Sequence, residues 1–137
     1  MSKLIVVLGS DDEQNLSKGH LGDSKFFLIY YLDERSWKLI KKLNNPFAEE
    51  SHVHAAEGKL KKIRALLGPV DVFAAKKSSP NFKKIARTQP IQPVRVKAES
   101  LEEALNVLRD NYSVLLEMVE KRRNGDRNEK IPILDKP

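Results

Sequence analysis

The chain carries three histidines and no cysteine. His20 lies in Ser17-Lys18-Gly19-His20-Leu21-Gly22-Asp23-Ser24, a glycine-flanked turn ahead of an apolar strand. His52 and His54 form a His-x-His pair just before a predicted helix. Neutral imidazole is a good ligand for iron, zinc or molybdenum-type centres. If the pair is extended, residues two apart point the same way and can bracket one ligand; if it is helical, they diverge. Without cysteine, disulfides, thiolate catalysis and cysteine-held iron–sulfur clusters are excluded. Any metal or metallocluster here must be held mainly by His20, His52 and His54.

Other chemistry is sparser. Lys76-Lys77-Ser78-Ser79-Pro80 can bind an anion through its lysines and the first amides of a following helix. Asp11 and Asp12 suit a magnesium ion or an ordinary turn, and the turn is the simpler reading. No Walker-type or dinucleotide glycine pattern occurs. The strands lack the paired carboxylates of a two-metal nuclease. No nucleophile, base and acid stand out together, so the residues offer little for catalysis.

The formal net charge is +6, with a pI near 9.5, which favours anionic partners. The surplus gathers at Lys59, Lys61, Lys62 and Arg64, at Lys76 to Arg87, and at Lys121, Arg122 and Arg123. Each run reads first as a solvated helix face. Nucleic acid stands as an alternative partner, although few aromatics are available for base stacking.

The elements that must position these residues follow from periodicity. Lys3–Leu8 reads as a buried strand and Phe26–Leu32 as a central one, apolar on both faces. Trp37–Leu43 alternates and reads as an edge strand. Ala55–Leu67 carries a helical stripe of Leu60, Ile63, Leu66 and Leu67. Val70–Ala75 and Ile91–Val96 are further strands. Ser79-Pro80 opens a helix, as cap and first residue. Ser100-Leu101-Glu102-Glu103 is a capping box that opens a long last helix. Its apolar positions Leu101, Leu105, Leu108, Tyr112, Leu115 and Val119 keep heptad spacing. They either dock on the domain or pair with a second copy in a homodimer.

The order β-β-β-α-β-α-β-α predicts an α/β fold with a mixed five-stranded sheet and helices on both faces. Strands one, three, four and five then run parallel, with strand two antiparallel. The loops holding His20, the His-x-His pair and Lys76 to Ser79 all leave the carboxyl edge, where open α/β sheets bind ligands. The 137 residues suit one domain over 1–123, with a flexible basic tail over 124–137 whose Ile131, Ile133 and Leu134 could clip onto the body. No apolar run approaches the roughly 18–20 residues of a bilayer span, and no signal-peptide core precedes the first strand. A cytoplasmic protein is expected.

The stretch Gly19-His20-Leu21-Gly22-Asp23-Ser24-Lys25-Phe26-Phe27-Leu28-Ile29-Tyr30 resembles the HFGRAxxFxIY signature of the dinitrogenase iron–molybdenum cofactor biosynthesis family, which includes NifX, NafY and the C-terminal part of NifB. The likeness continues through Ser10-Asp11-Asp12, the loop and helix from His52 to Leu67, Pro69 to Ala75, Ser79-Pro80-Asn81-Phe82, and Ser100 to Leu105. It spans about residues 3–110. Leu21 stands where phenylalanine is usual, and Asp23 where arginine is common. The resemblance implies a ribonuclease-H-like three-layer fold and a non-catalytic carrier for an anionic iron–sulfur or iron–molybdenum cluster. The partners it implies are proteins that donate or accept such clusters. It also implies that His20 and the histidines before the first helix make the cluster contacts, in a basic pocket. Lys76, Lys77 and Ser78 replace the family's small, glycine-rich turn, and the two lysines are expected to act as electrostatic partners of the cluster.

Overall fold

The computed structural model describes residues 3–48 and 52–137, and the side chains of these except residues 52–57. In chain order the elements are strands β1 (Leu4–Ser10), β2 (Phe26–Leu32) and β3 (Trp37–Asn44), helix α1 (His52–Leu67), strand β4 (Val72–Ala75), helix α2 (Pro80–Thr88), strand β5 (Gln92–Val96), helices α3 (Leu101–Asp110) and α4 (Tyr112–Arg123), and strand β6 (Ile133–Leu134). The sheet order is β3-β2-β1-β4-β5-β6. Strand β2 runs antiparallel to both neighbours, and β1, β4, β5 and β6 run parallel. This is the three-layer α/β arrangement expected.

Because side chains alternate along a strand, each buried strand serves two cores. Leu4, Val6 and Leu8 of β1 join Leu28, Tyr30 and Leu32 of β2 against α3 and α4. Val7, Phe27 and Ile29 face the other way, against α1 and α2. Two-sided burial explains the near-continuous apolar runs of β1 and β2. Strand β3 lies at the edge, as predicted. Its alternation is broken by a bulge: Leu39 pairs with Tyr30 and Lys41 with Ile29, so Ile40 is the extra residue.

Three departures from the expected pattern have local causes. The sheet has six strands rather than five. The sixth, β6, comes from the segment assigned to the tail and covers the edge of β5. Arg95 N–H donates to Pro132 O, and Lys97 N–H to Leu134 O, both at 2.9 Å. A two-residue strand has no periodicity for a sequence to display. The long last helix is two helices. At Asn111 the backbone leaves helical values, and the side chain donates to Val107 O at 2.8 Å and to Asp135 O at 2.9 Å. Asparagine readily competes for main-chain partners in this way. Finally, α1 begins at His52, so the His-x-His pair sits in its first turn and not on an extended lead-in.

The capping predictions hold. Ser100 and Glu103 form the reciprocal box of α3, and Ser79 Oγ accepts from Phe82 N–H at the start of α2. The heptad positions Leu101, Leu105, Leu108, Tyr112, Leu115 and Val119 are all buried in the chain's own core. The face that could have met a second copy is therefore occupied internally. The basic end of α4 is also not simply solvated. Arg122 is only 2% exposed. Its guanidinium donates to the carbonyls of Ile85, Ala86 and Gln89 at 3.0, 2.6 and 2.8 Å, closing the carboxyl end of α2.

Candidate functional site

The loop after β1 is shaped by short-range bonds before any ligand is considered. Asp12 accepts from Gln14 N–H, Asn15 N–H and the Asn15 side chain at 2.8–2.9 Å. Those bonds hold its carboxyl well below the usual carboxylate range. Asp11 accepts from Lys25 N–H at 3.0 Å. The acidic pair thus builds a turn. Behind it, Ser17 N–H donates to Gly9 O at 3.0 Å, and Ser17 Oγ donates to Ser24 Oγ at 2.7 Å. Asn45 reaches in from beyond β3 and donates to Gly22 O and Ser24 O at 2.9 and 2.8 Å. These contacts fix a short 3-10 turn, Leu21–Asp23, with His20 immediately before it.

His20 lines a cavity of about 150 Å3. Its wall is largely apolar, with Leu21, Ile63, Phe73 and Ile85 among the lining residues. The first turn of α2, Ser79 to Phe82, supplies another side, which brings a helix amino end to the cavity. Two charged groups complete it. Lys59 Nζ donates to Asp23 Oδ1 at 2.6 Å, and Asp23 Oδ2 lies 3.8 Å from His20 Nδ1. The lysine side chain is 2% exposed, the aspartate 27% and the histidine 36%. At 3.8 Å the aspartate acts on the imidazole through its charge and not through a hydrogen bond. A carboxylate beside the ring of a metal-binding histidine is a common orienting arrangement. The ammonium of Lys59 offsets the carboxylate, so the rim carries no uncompensated negative charge from Asp23.

The remaining predicted site residues lie elsewhere or outside the described side chains. His52 and His54 open the helix that brings Lys59, Leu60 and Ile63 to the cavity, but their side chains lie outside the described residues. Lys76 pairs with Glu99 and borders a separate hollow with Glu99 and Glu103. That pairing lowers the Glu99 carboxyl from its ordinary value. Lys77 is exposed. Ser78 lines a third hollow with Lys83, Arg87 and Arg95. The loop after β4 meets the His20 cavity through Ser79 to Phe82. Among the described residues, no group of three or more His, Cys, Asp or Glu side chains is placed to hold a metal ion. They offer a single imidazole contact beside an apolar wall.

Lys59 and Asp23 are the residues that sequence reasoning missed. Lys59 looked like one of four solvated cations on α1. It lies four residues before Ile63, however, and so shares the apolar face of the helix. Among the described residues, no helix is long and apolar enough to cross a membrane. Comparison with known proteins finds one family match: the dinitrogenase iron-molybdenum cofactor family, over residues 1–111. No curated protein matches the chain.

Proposed function

Because the chain belongs to the dinitrogenase iron-molybdenum cofactor family, we propose that it binds an anionic iron–sulfur or iron–molybdenum cluster as cargo and passes it between assembly proteins without chemical change. The observation that carries this reading is the placement of His20 on a braced turn at the rim of an apolar cavity. A cavity of about 150 Å3 holds only a group of small-ring size, so a cluster sits over its mouth. There His20 contacts a metal atom, the apolar wall keeps water from one side, and the amino end of α2 favours the negative charge. Lys59 and Asp23 orient the imidazole. His52 and His54 lie two residues apart in the first turn of α1 and so diverge, which leaves one of them as the further ligand in this reading. The absence of cysteine supports carriage, because a contact through imidazole is more easily exchanged than a set of thiolates.

The test is anaerobic addition of extracted iron–molybdenum cofactor or an iron–sulfur cluster to the purified chain, followed by native electrophoresis and absorbance. The wild type is expected to retain cluster and shift in mobility. His20→Ala is expected to weaken retention at least tenfold, within the roughly 10–100-fold range seen when a metal site loses a supporting group. Unchanged retention in a variant with all three histidines replaced by alanine would overturn the reading.

A further inference from the structure

The hollow lined by Ser78 has the chemistry of an anion site and lies apart from the His20 cavity. It measures about 440 Å3, within the range of small-ligand pockets. Lys83 and Arg87 of α2 line it, four residues apart and therefore on one helix face. Arg95 of β5 lines it as well, with its Nε donating to Lys76 O at 3.2 Å. None of these three cations forms an ion pair among the described residues, whereas Lys42, Lys59, Lys76 and Arg123 each have a carboxylate partner. The far wall is Glu129 and Ile131, which precede β6. Three cations against one carboxylate leave the hollow with a surplus of two positive charges.

An independent observation points to a ligand. Ser78 lines the same hollow, and its hydroxyl is buried with no hydrogen-bond partner among the described residues. Buried hydroxyls are nearly always paired, so this one calls for a partner such as water or a ligand oxygen. The hollow is also rigidly framed. Ser79 caps one end of α2 and Arg122 closes the other, so Lys83 and Arg87 stand on a helix held at both ends.

We propose that this hollow binds a compact oxyanion with two or more linked phosphate groups, free or as part of a nucleotide. Arginine forks suit phosphate oxygens bidentately, the lysine adds a point charge, and the Ser78 hydroxyl donates. Glu129 can accept from a protonated phosphate or a hydroxyl. Among the described residues no aromatic side chain lines the hollow, which argues against stacking with nucleic acid bases. The site is independent of cluster binding at His20.

The experiment is isothermal titration of the full chain with inorganic tripolyphosphate and with ADP at fixed salt. One ligand per chain is expected, weakened at least tenfold in Arg87→Gln and Arg95→Gln and about threefold in Ser78→Ala. Lys41→Gln, on the opposite sheet edge, is expected to leave binding within twofold of wild type. Tighter binding of ADP supports the proposal with a nucleotide as the source; tighter binding of tripolyphosphate supports it with a free oligophosphate. Absence of binding at millimolar ligand overturns it. So does an equal loss in Lys41→Gln, or displacement of tripolyphosphate by a long oligonucleotide that binds more tightly than either small ligand.

Discussion

At Gly9, next to the last residue of β1, the following loop folds back over the strand and leaves no space for a methyl group. A Cβ there would stand 2.8 Å from Leu21 Cδ1 and 2.9 Å from Ser24 Cβ, and closer still to Ser24 Oγ. Gly9→Ala is therefore expected to cost about 1–3 kcal/mol by overpacking. Adding Ser24→Gly should recover most of that loss in urea denaturation. Simple additivity of the two changes would show that the contact is not the cause. His20 itself was legible from its residue type and its glycine neighbours. Its supports were not. Lys59 resembles Lys61 and Lys62 in a linear reading, and only the approach of Asp23 from 36 residues away makes it a buried cation.

Among the elements, α2 matters most, because its amino end borders the histidine cavity and its face carries Lys83 and Arg87. Its start was readable because a cap is local: Ser79 and Pro80 are adjacent in sequence. Its end depends on Arg122, which arrives from α4. Arg122→Met is expected to remove about 3 kcal/mol of stability, since buried carbonyls lose a charged donor. Hydrogen exchange at the amides of residues 86–89 should quicken by more than in the rest of the chain. Arg122→Lys should recover little, because one ammonium cannot span three carbonyls as a planar fork does. Unchanged exchange in Arg122→Met would mean the carboxyl end of α2 holds without this grip. The break at Asn111 was hidden for a similar reason, because one of its side-chain partners is the carbonyl of Asp135.

On the scale of the whole molecule, the family match ends at residue 111, where α3 gives way to α4, but the core does not end there. Tyr112, Leu115, Val119 and Leu134 belong to the same buried cluster as β1 and β2. Removing them takes away about 6–12 kcal/mol of burial, at roughly 1.5–3 kcal/mol per large side chain. That is comparable to the entire stability of a domain. A chain cut after Asn111 is expected to lose its cooperative melting transition, or to associate in sedimentation through the uncovered face. A monomer with unchanged melting would show α4 to be an appendage. The strand directions of the five predicted strands, the layer arrangement, the capped starts of α2 and α3 and the edge of the sheet that carries the loops were readable in one dimension, because hydrophobic periodicity and capping act between near neighbours. The burial of Lys59 and Arg122, the separation of Ser78 from the His20 cavity and the addition of β6 were not readable. Each depends on a partner brought from a distant part of the chain, and burying a charge or pairing a two-residue strand is favourable only once that partner is in place.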